Sequence, residues 1–161
     1  MPLLNAQYGG QGLTPDGKQV QIPPQIALCQ RGPCVQVTIE LADQIAQELI
    51  KRKEPLPKPS AGLALIDTGS ISSCVDEEVA ISMHLPVVGN INLASASHSS
   101  HRANQYPIKV TIQGLPMAFN APAAIGAPLK VQGLIAIIGR DILQICCLIY
   151  NGSIGQFTIC L

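Results

Sequence analysis

The sequence predicts a mostly β domain carrying two or three short helices. Three observations carry that reading. Apolar residues make up 47% of the chain, and most fall in short runs rich in β-branched side chains. The 14 glycines and 13 prolines punctuate those runs at the spacing of strands and turns. The 161 residues suffice for one core and are too few for two ordinary ones.

Composition also excludes several classes. Lys+Arg and Asp+Glu number 10 each, for a formal net charge of +0. The chain therefore lacks the basic surplus that holds nucleic acid or an anionic membrane surface. Aromatic residues are 3% with no Trp, which leaves little to stack on bases or sugars. Charged residues are only 12%, so the chain does not read as disordered. No run reaches the roughly 18 apolar residues of a membrane helix; the longest candidate, residues 134–143, is interrupted by Gly139, Arg140 and Asp141. The first residues, MPLLNAQYGGQGLTPDGKQ, lack the basic start and apolar segment of a secretory leader. The expectation is a cytoplasmic protein whose six cysteines are reduced.

Residues 1–18 are rich in Gln, Gly and Pro and are expected to form a flexible arm, with a single domain over 19–161. Residues 19–28 and 35–40 have β character, and the Gly32-Pro33 step between Cys29 and Cys34 marks a turn, so the two read as a hairpin. Over 41–53 the period changes. Leu41, Ile45 and Leu49 recur every four residues beside Ala42, Ala46 and Ile50, the stripe of a helix whose last turn carries Lys51, Arg52 and Lys53. The next segment, EPLPKPS, forbids regular structure and reads as a stiff connector. Residues 62–66, GLALI, form a short apolar strand that ends at the turn-formers Asp67, Thr68, Gly69 and Ser70. A second helix spans 76–85, with Asp76 as its N-cap and Pro86 as its stop. Strand-like stretches at 90–93 and 106–113 flank the polar SASHSSHRANQ, which suits the tip of a long hairpin. Residues 114–133 read as a Pro/Ala/Gly-rich loop and 134–138 as a buried strand. Gly139-Arg140-Asp141 opens a short helical turn, and 146–150 pairs with 156–161 around Asn151-Gly152.

The chemistry concentrates at Asp67. Leu65 and Ile66 deliver this carboxylate from an apolar strand into a turn. Thr68 adds a hydroxyl on a stiff side chain, and Gly69 permits close backbone approach. Taken alone, Asp-Thr-Gly also fits an ordinary turn whose Asp only caps the backbone.

ALIDTGS at 64–70, followed in the second half of the chain by LIAIIGRDIL at 134–143, resembles the signature of the retropepsin-like aspartic proteases. The terminal YNGSIGQFTICL is similar to the closing hairpin of bacterial members. The resemblance covers residues 35–161 and implies a retropepsin-like acid-protease fold, a closed, barrel-like β structure. It implies an aspartic endopeptidase in which each protomer contributes one D-T-G loop. This chain holds one such loop, so the active form is implied to be a homodimer with an isologous interface, acting on a peptide or protein substrate with no cofactor and no metal. Asp67 would be the catalytic residue, and two facing carboxyls would share one proton.

By the same resemblance, Thr68 corresponds to the residue that locks the two loops together and Gly69 to the one whose backbone lies near substrate. Ser70 offers a hydroxyl to the outer oxygen of Asp67. Gly139, Arg140 and Asp141 correspond to the turn that packs beneath the loops. The flap corresponds to the tip bearing Ser97, His98, Ser99, Ser100 and His101, which lacks the glycines of retroviral flap tips. Ile71 and Ser72 stand where retroviral members often place acidic residues, one of which pairs with the Arg. That leaves Asp141, Asp76 or a backbone carbonyl as candidate partners for Arg140.

Other candidates have plainer readings beside the functional ones. His98 and His101 are three apart, as metal ligands, pH-sensitive flap residues or a solvated tip. Cys29 and Cys34 are spaced for a disulfide or half a zinc site, but no second C-x-x-C follows, and buried reduced thiols remain the ordinary alternative. Two rival functions stand beside the protease: a non-hydrolytic module that binds a peptide or partner on the same fold, and self-processing of the 1–18 arm.

Overall fold

The computed structural model describes residues 2–13, 16–95 and 98–161. In chain order these form β1 (Leu3–Gln7), β2 (Gly10–Leu13), β3 (Gln19–Ile22), α1 (Pro24–Arg31), β4 (Cys34–Leu41), α2 (Asp43–Lys51), β5 (Ser60–Ile66), β6 (Cys74–Asp76), α3 (Glu77–Ser82), β7 (Gly89–Ser95), β8 (His98–Ile112), β9 (Ala118–Ala127), β10 (Ala136–Ile138), α4 (Arg140–Leu143), β11 (Cys147–Asn151) and β12 (Gln156–Cys160). A 3-10 turn at Lys130–Gln132 links β9 to β10. The chain is mostly β, as its composition predicts, with four short α-helices among the described residues in place of the two or three expected.

Six strands close into a barrel in the order β4-β5-β10-β6-β9-β8, and β8 pairs back onto β4 to complete the ring. β4 shows the logic of its wall. Val35, Val37, Ile39 and Leu41 are buried, while Gln36, Thr38 and Glu40 between them are not. With Ile66, Val75, Ile108, Val110, Ile112, Phe119 and Ile138 they form one core. β10 is the unusual member. It runs parallel to β5 and antiparallel to β6, so it fills a slot between two strands that are consecutive in sequence. The chain between β5 and β6 must therefore loop over the end of β10, and Asp67 lies in that loop.

The long hairpin β7–β8 extends the ring. Beneath it, Tyr106 Oη donates to Glu77 Oε1 (2.7 Å) and Asn104 Nδ2 donates to the same oxygen (2.9 Å), which ties the hairpin base to α3. α2 packs Ile45, Ala46 and Leu49 against the core, and its first residue is tied to β8 and β9. The carboxylate of Asp43 meets Lys109 Nζ (3.1 Å) and Asn120 Nδ2 (2.9 Å), and those hydrogen bonds, Asn120 foremost, hold it below the usual carboxylate range. A groove of about 810 Å³ runs between α2, the proline connector and the end of α3, and none of its lining residues belongs to the Asp67 loop. No described helix is long and apolar enough to cross a membrane.

Several local expectations need correction. Residues 3–7 are not part of a free arm: β1 pairs along its whole length with β12, and Leu4 and Ala6 pack on the core. The period-two pattern is there, but its partner lies at the other end of the chain, where no local signal points. β2 likewise pairs with β3. The hairpin expected across 19–40 is instead a strand, a helix and a strand. Pro24 opens α1 at a position that needs no N–H, and Ala27 and Leu28 are buried. The loop expected over 114–133 contains β9, with Phe119, Ala121, Ala124 and Ile125 buried. Its proline is tolerated because the β8–β9 register slips between Tyr106 and Ile108, where Pro107 and Pro122 fall. β8 begins at His98 rather than 106, so most of the polar stretch read as the hairpin tip is strand, and the short β6 was not expected. The remaining helices and strands fall within a few residues of their expected places, and Leu41 ends β4 rather than opening α2.

Two measurements test this packing. Asp76 is 1% exposed, and its carboxylate accepts from Val79 N (3.1 Å), Leu129 N (2.9 Å) and Lys130 N (2.8 Å). Asp76→Ala strands those donors and is expected to cost about 3 kcal/mol in urea denaturation; a loss below about 0.5 kcal/mol would contradict the anchoring role. Tyr8 Oη accepts from Cys34 N (2.6 Å), and burial pushes its phenol from 10.0 up to about 12. The neutral phenol is favoured in the folded state, so its contribution to stability is intact below 10.0 and is lost as pH rises toward 12. Ultraviolet titration is expected to show a late tyrosine phase that Tyr8→Phe removes.

Candidate active site

Asp67 follows the last residue of β5, and its N–H donates to Ile138 O at the end of β10 (3.0 Å). The carboxylate turns back on its own loop. Oδ1 accepts the Gly69 N–H (2.8 Å), while Ser70 N donates to Asp67 O (3.3 Å) and closes the turn. Asp67 is half-buried, and Oδ2 has no hydrogen-bond partner within the described chain. Thr68 and Gly69 at the tip are exposed, and Ile71 just beyond is 72% exposed.

The loop rests on the turn after β10. Arg140 N donates to Ser70 O (3.0 Å) and Asp141 N to Ile71 O (3.1 Å). The side chain of Asp141 then grips Ser73: Ser73 N donates to Oδ2 (2.9 Å) and Ser73 Oγ to Oδ1 (2.7 Å). Ser73 Oγ also accepts the buried Gly139 N–H (3.0 Å). Only glycine fits at 139, because a Cβ there would meet the Ser72 carbonyl carbon at 2.6 Å and Ser73 N at 2.9 Å. Both contacts are backbone, which cannot swing aside.

The expected support residues therefore meet beneath Asp67, with two changes of role. Ser70 Oγ donates to Ser72 O (2.7 Å), not to Asp67, so it closes the loop instead of tuning the carboxyl. The guanidinium of Arg140 is exposed and makes no hydrogen bond or ion pair within the described chain; its backbone N–H does the supporting. Of the three partners considered for it, Asp141 is taken by Ser73, and Asp76 by the backbone at Val79, Leu129 and Lys130. Ser73, 1% exposed, is the residue the sequence reading missed. The available signal was a serine at the mouth of a buried strand, where an unpaired hydroxyl would be costly.

Cys74 lies close to the loop. Burial, and then the charges of Asp141 and Asp67, push its thiol up to about 11. It stays neutral near pH 7, so it is not poised as a nucleophile. Cys29 and Cys34 are free thiols, with Cys34 Sγ donating to Arg31 O (3.3 Å). Of the flap candidates, Ser97 lies outside the described residues. His98, Ser99, Ser100 and His101 lie on β8, where the backbone of His98 pairs with Ser95 and that of His101 with Leu93. Among the described residues no group of three or more His, Cys, Asp or Glu could hold a metal ion.

The site thus presents one carboxylate at an open surface, with one oxygen committed to the loop and one free. No family model matches the chain, and no curated protein matches it.

Gly139→Ala tests the clamp. The added methyl must push the turn away from Ser72, at a cost of about 1–3 kcal/mol in urea denaturation. An alanine variant as stable as the parent would show that the contact is not tight.

Proposed function

We propose that this protein is a retropepsin-like aspartic endopeptidase that cleaves extended peptides as a homodimer. The observation that carries the reading is the Asp67 turn itself: a D-T-G loop that starts where β5 ends, seated on the Gly139–Asp141 turn through β10, with Asp67 Oδ2 free. The closed barrel and the hairpin beside it fit that architecture. The exposure of Thr68, Gly69 and Ile71 leaves the tip open to a second copy.

Counting supplies the dimer. Water activated by general acid–base chemistry needs one carboxylate to take its proton and one carboxyl to polarise the scissile carbonyl. The sequence has one D-T-G. Two Asp67 side chains meeting across a two-fold axis would repel if both were ionised, so the pair holds one proton. The ionised partner takes a proton from water as the oxygen attacks the carbonyl carbon. The protonated partner donates to the carbonyl oxygen and, as the C–N bond breaks, a proton passes to the leaving nitrogen. Substrate would lie under the β7–β8 hairpin as an added strand, its backbone held by ladder bonds and its apolar side chains in the cleft. The free thiols fit a reducing, cytoplasmic setting.

The test is digestion of unfolded casein and a peptide library over a range of pH, with light scattering on the same sample. Dimers are expected to cleave with a bell-shaped pH profile, and Asp67→Asn to lower the rate on the order of 10³-fold or more. Confirmed dimers that cut nothing at any pH would defeat the protease and favour a peptide-binding module.

A further inference from the structure

The sheet β1–β12–β11 has two unlike faces. Leu4, Ala6, Phe157, Ile159 and Leu148 turn inward and pack on the core. The residues between them therefore lie on the outer face, in rows set by the register. One row reads Leu3, Cys160, Cys147. Cys147 is exposed, whereas Cys160 is covered, although it faces away from the core. Its cross-strand neighbours are Leu3 on one side and Cys147 on the other.

The two cysteines are direct cross-strand partners, and Cys160 Sγ lies 3.7 Å from Cys147 O. Directly opposed residues of an antiparallel pair project from the same face, with Cα atoms about 4.5 or 5.5 Å apart depending on the hydrogen-bonding class. Disulfides span Cα separations of about 4.4–6.8 Å, so either class brings this pair into range. The other thiols have different surroundings. Cys146, the immediate neighbour, lies near enough to Cys160 to feel its charge, but it precedes β11, packs against the core and donates to Ile142 O (3.7 Å). Cys74 sits beneath the Asp67 loop, and Cys34 donates to Arg31 O.

We propose that Cys147 and Cys160 form an oxidation site, closed to a cross-strand disulfide by low-molecular-weight disulfides such as glutathione disulfide. This goes beyond the proteolytic reading and does not depend on it. Exposed Cys147 reacts first. It loses its proton to solvent, and the thiolate attacks one sulfur of the reagent, forming a mixed disulfide and expelling one thiolate. Cys160 then loses its proton and attacks Cys147 Sγ, forming the protein disulfide and expelling the second thiolate. Two protein thiols are oxidised, and one reagent disulfide is reduced to two thiols. The bond closes a ring over residues 147–160, which holds the central strand of the sheet to its edge strand.

The experiment treats the purified full chain with glutathione disulfide and reads intact mass and disulfide-linked peptides, before and after dithiothreitol. The expected result is a monomeric, reducible species that has lost two hydrogens, with Cys147 and Cys160 in one linked peptide pair. Cys160→Ser is expected to stop at a stable glutathione adduct on Cys147, and Cys146→Ser to oxidise like the parent. A mapped bond that uses Cys146 in place of either partner, an unresolved adduct in the parent, or linkage only between chains would overturn the assignment. The parent chain alone gives that answer, so a variant that misfolds does not obscure it, and a failure to cleave casein leaves it untouched.

Discussion

Gly139 and the Ser72–Ser73 backbone approach each other more closely than any side chain at 139 would allow. This contact follows from threading β10 between β5 and β6, and the rest of the site depends on it. The β5–β6 connection has to pass over the end of β10, and a hydrogen-bonded turn must support it from below. Ser73 is where the two meet. Its hydroxyl satisfies the buried Gly139 N–H and is itself held by Asp141. The Asp67 loop is thus held by backbone groups and a buried polar network, where a missing partner costs far more than a surface contact contributes.

The same arrangement sorts the carboxylates by role. Asp141 and Asp76 have their oxygens taken up by backbone N–H groups and Ser73, and they serve as rigid acceptors within the fold. Asp67 commits only Oδ1, to Gly69, and keeps Oδ2 free at an exposed edge. A reactive carboxylate needs that combination of a fixed position and an unused oxygen. Arg140, on the supporting turn, is exposed and makes no ion pair with Asp67. Cys74 remains a neutral thiol beside it.

Local signals carried much of the fold. The β character of 35–40 placed β4, the short apolar run GLALI placed β5, the four-residue stripe placed α2, Asp76 announced α3, and Asn151-Gly152 announced the last hairpin. Two of the failures have a common cause. β1 looked like an arm because the strand it pairs with lies at the far end of the chain. β9 looked like a loop because its proline is allowed only by a register slip in β8. α1 looked like a strand because four strand residues, Gln19–Ile22, run directly into Pro23-Pro24. For β1 and β9 a distant partner or an irregular pairing outweighed local propensity.

The amino-acid order by itself determined the mostly β class, the single D-T-G turn at Asp67 and the later G-R-D turn, because each is written in contiguous residues. Only the tertiary structure decided that the second turn supports the first, that Ser73 and Asp141 join them while Arg140 stands apart, and that Ser70 serves the loop rather than the carboxylate. Those outcomes depend on which backbone atoms of two segments far apart in sequence come within hydrogen-bonding distance. That distance is set only once β10 is in its slot.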